Sequence, residues 1–305
     1  MKGYIPAIPL PMNEDFSVDE PTLRAYVNWI VPQGIRALAV NVDTGEGPHL
    51  FPEERLRVLE VVAEEVNGRV PIVAGLAAAF NQQAARAARE ARSAGADALL
   101  VFPIPAYQGE PLDPDIPYRY HRDVGEAADL PLIAFQLQPA LGGVLYSEQA
   151  IRRLLEVEHV VALKEASFDA LRFTRTVRIL QQASRSVTVL NGNDNFLLEG
   201  FVLGAQGALL GFGALATEAQ VKMYEAAMAG DYETARRYAK WLQPLSDAIF
   251  APPVRNYRAR VKHALVLLGV FRNAVVRPPL PPLTDAEKAG VREALVRAGL
   301  LDGRP

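Results

Sequence analysis

The chain contains no cysteine, which at once excludes a disulfide framework, a thiolate metal site and a thiol nucleophile. Histidine is scarce as well: His49, His121, His159 and His263 are scattered without ligand spacing, so no metal centre is expected. No apolar run approaches the roughly 20 residues of a membrane span, and Met1-Lys2-Gly3-Tyr4-Ile5-Pro6 lacks the apolar stretch of a signal peptide. An excess of one charge is missing too. A net charge of -3 over 305 residues gives no basic footprint for nucleic acid or anionic lipid. There is no Walker-type glycine loop, and Gly211-Phe212-Gly213 lacks the third glycine of a dinucleotide fingerprint. These absences leave a soluble, cytoplasmic protein acting on a small molecule, with no cofactor expected.

What is present is apolar material, 50% of the chain, arranged in short runs. Strand candidates begin near Tyr4, Arg36, Val70, Ala96, Leu130, Val160, Val187 and Gly207. The runs are continuous rather than alternating, as in strands buried on both faces of a parallel sheet. Amphipathic stretches lie between them. The first, 21–31, follows the cap candidates Ser17 and Asp19, and another opens on Pro52, a residue suited to the first helical position. Gly34, Gly95 and Gly204 stand near helix ends, where a left-handed cap favours glycine.

This repeat has the count and length of a (β/α)8 TIM barrel, with a doubly wound open sheet as the rival. Past Gly230 the strand signal stops, and helical patterns cover 231–245, 254–268 and 284–298. The expected organisation is a barrel over 1–229 and a helical C-terminal extension over 230–305, packed on it.

Catalytic groups of a barrel sit at the C-terminal ends of its strands. There, Val160-Val161-Ala162-Leu163 runs directly into Lys164. Burying an ammonium is costly, so a lysine completing an apolar strand is an unusual placement. It either leaves for solvent, pairs with Glu165, or serves as a nucleophile. For a nucleophile the site makes sense: fewer than about one ordinary lysine in a thousand is neutral at pH 7, and desolvation raises that fraction. The iminium formed with a ketone is an electron sink. The segment Asp43-Thr44-Gly45-Glu46 after the second strand exposes N–H groups and a hydroxyl that suit a carboxylate, and reads equally well as a turn. Asn191-Gly192-Asn193-Asp194 ends the seventh strand and is, alone, a turn signal. Asp194 and Glu46 could meet across the mouth as a metal-binding pair. Phe102, Phe135 and Phe212 suit either barrel filling or an apolar substrate tail.

The ordered set Asp43-Thr44-Gly45-Glu46, Pro52-Glu53-Glu54-Arg55, Gly68-Arg69-Val70-Pro71-Ile72-Val73-Ala74-Gly75, Gly95-Ala96-Asp97-Ala98 and Leu163-Lys164-Glu165-Ala166 resembles the dihydrodipicolinate synthase and N-acetylneuraminate lyase family. The resemblance covers about residues 4–268 and implies Schiff-base chemistry on pyruvate or another 2-oxo acid, often in a tetramer. It makes Lys164 the Schiff-base residue and puts Thr44 and Gly45 on the substrate-carboxylate loop. Leu209 falls where a backbone carbonyl approaches the lysine, and Gly192 and Asn193 join the substrate-binding set.

There are departures from the family pattern. Asp43, counted with the substrate-binding residues, stands where a hydroxyl residue is usual, and its charge would repel a bound carboxylate unless it points away or is protonated. Phe135 replaces the family's proton-relay tyrosine. Leu141 or a neighbour replaces the arginine that binds the aldehyde partner in dihydrodipicolinate synthase. Tyr107 or an ordered water is the favoured substitute for the lost phenol, with Asp43, Glu46, Gln136 and Asn193 also open. The sequence therefore points to a carbon–carbon or carbon–oxygen lyase, an aldolase or dehydratase, rather than a true dihydrodipicolinate synthase. The alternative is a non-catalytic or weakly catalytic 2-oxo-acid-binding protein on the same fold.

Overall fold

In the computed structural model, which describes residues 2–302, the eight apolar runs become eight parallel strands. They are β1 (Gly3–Pro6), β2 (Leu38–Val40), β3 (Ile72–Leu76), β4 (Ala98–Val101), β5 (Leu132–Leu137), β6 (Val160–Ala166), β7 (Thr188–Asn191) and β8 (Gly207–Leu210). The order around the sheet is β1-β8-β7-β6-β5-β4-β3-β2. Closure comes from a parallel bridge between Ala7 and Ala39, where the Ile8 N–H donates to the Ala39 carbonyl at 3.0 Å. The fold is the expected TIM barrel, and the open-sheet alternative falls.

A helix follows each strand: α1 (Glu20–Ile30), α2 (Pro52–Val66), α3 (Asn81–Ser93), α4 (Asp115–Ala128), α5 (Glu148–Leu154), α6 (Ala170–Gln181), α7 (Leu197–Val202) and α8 (Thr217–Met228). Of the two cap candidates for α1, Asp19 is the cap. Its carboxylate accepts the Thr22 N–H at 3.1 Å. Gly34, Gly95 and Gly204 all adopt positive φ, as their places near helix ends require.

Side chains partition by strand parity. Ile133, Phe135 and Leu137 on β5, with Ala162 and Ala166 on β6, belong to the cluster that fills the lumen. Leu132, Ala134 and Leu163 point outward into the layer beneath the helices. Lys164 has the parity of Ala162 and Ala166, so it enters the lumen. Glu165 has the opposite parity and lies outside, buried, where it accepts from Gln136 Nε2 at 2.8 Å and Asn193 Nδ2 at 2.9 Å.

The remaining helices, α9 (Tyr232–Ile249), α10 (Tyr257–Leu267) and α11 (Asp285–Arg297), pack on one another, and α9 lies along α8. Arg260 of α10 is buried and ties the group together: Nη1 donates to the Ile249 carbonyl at 3.1 Å, and Nη2 pairs with Glu287 at 2.7 Å. Glu287 also closes the capping box of α11 with Thr284. Among the described residues no helix is long and apolar enough to cross a membrane.

Candidate active site

Lys164 is in register with Phe135 on β5 and Leu190 on β7, at the C-terminal half of β6. Only 7% of it is exposed, and its Nζ lies 4.2 Å from the centroid of the Phe135 ring. Burial in this apolar surrounding lowers its pKa from the ordinary 10.5 to about 8, against the opposing pull of the Asp194 and Asp43 charges. The same burial raises the Asp194 carboxyl to about 7, despite the Phe212 N–H that donates to it at 2.8 Å. An amine drawn down and a carboxyl drawn up thus lie buried within reach of each other's charge. Gly192 borders the lysine directly: a Cβ there would stand 2.7 Å from Lys164 Cε, so only glycine leaves the chain room.

Asp43 is not an unpaired charge facing the substrate loop. Arg258 of α10 forms an ion pair with its Oδ1 and also donates from Nε to its carbonyl at 2.8 Å. Tyr257 donates to Oδ2 at 2.6 Å. The Tyr257 Oη lies 3.3 Å from Thr44 Oγ1, which makes a row of hydroxyl, phenol and carboxylate. The repulsion expected from sequence is thus cancelled by a residue more than two hundred positions away. Thr44 is buried, and the N–H groups of Thr44 and Gly45 find no acceptor among the described residues. Gly45 is required because a Cβ would meet the Ile8 carbonyl at 2.9 Å.

The loop is held at its other end too. Glu46 pairs with Lys262 of α10, both with fully buried side chains, and accepts the Arg277 N–H at 2.9 Å. Both its oxygens are therefore engaged away from the lumen, and it does not meet Asp194. The metal-binding pair considered from sequence does not form.

Other candidates also lie elsewhere. Tyr107 is fully buried outside the lumen, in the layer between strands and helices, with its ring 6.0 Å from Tyr120 and 6.2 Å from Tyr146. Burial there pushes its pKa well above 10. The turn Pro105–Tyr107 carries it away from Lys164. Asn193 and Gln136 are tied up in the outer network around Glu165. Phe212 contributes its N–H to Asp194, but its ring packs in the outer layer, so only Phe102 and Phe135 meet in the lumen, edge to face at 5.2 Å. Leu209 fills the lumen from β8. Tyr257 and Arg258, which hold Asp43, were not singled out from sequence. Their nearest signal was a basic cluster, Arg255, Arg258, Arg260 and Lys262, which reads as a solvated face.

Comparison with known proteins identifies the family. The family model described as the dihydrodipicolinate synthetase family matches residues 1–298. A 4-hydroxy-tetrahydrodipicolinate synthase of Methylibium petroleiphilum is 33% identical over 303 residues, 98% of each chain. One from Acidiphilium cryptum is 32% identical, over 98% of this chain and 99% of the other. Among solved structures, dihydrodipicolinate synthase from Aquifex aeolicus superposes with a TM-score of 0.88 at 27% identity, covering 99% of this chain and 100% of that one. The Acinetobacter baumannii enzyme, solved with pyruvate, gives 0.87 at 29% identity over 98% and 99%. The chain belongs to the dihydrodipicolinate synthetase family.

Proposed function

We propose that this protein is a class I lyase, an aldolase or dehydratase that binds a 2-oxo acid as a Schiff base on Lys164. One observation carries the reading: a lysine placed inside an apolar barrel lumen, its amine depressed toward neutrality. At pH 7 an amine of pKa about 8 is roughly 10% neutral, against about 0.03% for an ordinary lysine, a gain of roughly 300-fold in reactive form.

In this reading the substrate carboxylate sits on the free N–H groups of Thr44 and Gly45. The Lys164 amine attacks the ketone carbon, and the ketone oxygen takes up protons and leaves as water. Loss of a proton from the adjacent carbon then gives the enamine. Phe135 can neither give nor accept those protons, but Thr44 can pass one to Tyr257, which passes its own to Asp43. The phenol missing from β5 is in this way supplied from α10. A catalytically silent 2-oxo-acid-binding protein is the competing reading, motivated by Phe135.

The test is borohydride reduction in the presence of pyruvate, read by intact mass and peptide mapping. A reduced adduct on Lys164 is expected, and its absence in folded protein would sink the mechanism. Because only the neutral amine attacks, the rate of adduct formation should fall about tenfold per pH unit below about 8 and level off above it. A rate still climbing between pH 9 and 10 would show that the amine is not depressed. Tyr257→Phe should keep the adduct but slow exchange of the pyruvate methyl protons with deuterium by about 10²-fold, as followed by NMR. Unchanged exchange would remove Tyr257 from the relay. Adduct without any exchange in the unaltered protein would favour the silent binding protein.

A further inference from the structure

A cavity of about 380 Å³ lies at the barrel mouth, between the loop after β2 and the ends of β3, β4 and β5. It shares a wall with the lumen. Phe102 lines it and meets Phe135 edge to face, and the Phe135 ring in turn lies under the Lys164 amine. A group extending from a substrate held on Lys164 would enter here. The wall is mostly hydrocarbon: Phe102, Ile104, Leu137 and Leu141, with alanines and prolines between them.

The two ionic groups of the wall, Asp43 and Arg258, neutralise each other. A second carboxylate on the substrate would meet no unbalanced cation, since the nearby Lys262 and Arg277 are likewise occupied, by Glu46 and Glu54. His49, also in the wall, is kept neutral near pH 7 by its burial and by the Arg258 charge. A polyhydroxylated chain would find few partners for its hydroxyls.

We propose that the part of the substrate beyond the 2-oxo acid is an uncharged aryl or alkyl group received in this cavity. The proposal rests on the Schiff-base reading and names the substrate class of that site. The volume is ample, since a cavity of about 150 Å³ already admits benzene. In the condensing direction, the enamine carbon bonds to an aldehyde carbon and the aldehyde oxygen takes a proton to become a hydroxyl. Water then releases the 4-hydroxy-2-oxo acid from Lys164, and no redox partner is needed.

The experiment offers the full chain pyruvate together with benzaldehyde, hexanal, glyceraldehyde or succinic semialdehyde, and measures kcat/KM for each by product mass. A parallel sample with pyruvate alone is reduced with borohydride. We expect one of the two apolar aldehydes to be preferred by about 10²-fold over both others, the order of discrimination a hydrophobic pocket applies to one added hydroxyl. Leu141→Arg, a loop substitution that adds a cation to the wall, should shift the preference toward succinic semialdehyde by about tenfold. An adduct accompanied by preference for glyceraldehyde or succinic semialdehyde, or by no condensation with either apolar aldehyde, overturns this proposal and leaves the lysine chemistry standing. Absence of the adduct overturns both.

Discussion

Lys164→Ala is expected to abolish the reduced pyruvate adduct and to lower kcat by about 10⁴-fold or more, the scale seen when a covalent nucleophile is removed. The loss should be chemical rather than structural. Lys164 is a buried cation whose desolvation is only partly offset by Asp194 and Asp43. Removing it takes an expensive charge from the lumen, and the atoms lost leave a space that opens onto the mouth. The thermal midpoint should therefore stay within a few degrees of the parent. Asp194 loses the cation that holds its pKa down, so its carboxyl should move above the value of about 7 it has beside the lysine. A protonated, neutral Asp194 is tolerated where it is buried. A variant that still forms the adduct would show that another amine carries the chemistry. One that fails to fold would show that the lysine is a structural ion, and Lys164→Met, which keeps the bulk, would separate the two.

What the sequence made legible and what it hid divide along a physical line. The barrel was readable because each strand is buried on both faces, so its run is apolar throughout, and because helix ends carry local marks such as Asp19 and Gly34. The burial of Lys164 in the lumen follows from the same local pattern, a charged residue ending an apolar strand. The place of Tyr107 was hidden because nearness in sequence to β4 says nothing of which way a turn swings, and its ring packs in the outer layer. Asp43 misled because its partner is remote. A carboxylate on a substrate loop looks repulsive until Arg258 and Tyr257 arrive from α10, and no local pattern announces that three basic residues in five positions, Arg258, Arg260 and Lys262, are all buried. Periodicity reports burial by apolar contact and is blind to burial by ion pairing.

That blindness locates the largest stability effect outside the lumen. Lys262→Met should destabilise the protein by about 3–5 kcal/mol, the cost of leaving one member of a buried pair without its partner. At roughly 2–4 °C per kcal/mol for a chain somewhat smaller than this one, the midpoint should fall by about 6–20 °C. Glu46 would keep only the Arg277 N–H, in a place with no exposure. Removing both charges, in Glu46→Gln with Lys262→Met, should recover much of the loss, because the pair itself is close to neutral against uncharged residues of similar volume. A double variant as unstable as the single one would mean that the ion pair is worth more than its desolvation. Glu46 also adopts a left-handed backbone, φ 55°, which a side-chain-bearing residue holds only when its surroundings impose it. Lys262 and Arg277 impose it at one end of the loop, Arg258 and Tyr257 hold Asp43 at the other, and Thr44 and Gly45 lie between. Loosening either anchor should spread the free N–H groups and raise KM for pyruvate more than it lowers kcat. The loop after β2 is thus held at both ends from the C-terminal part of the chain, by Tyr257, Arg258 and Lys262 of α10 and by the Arg277 N–H.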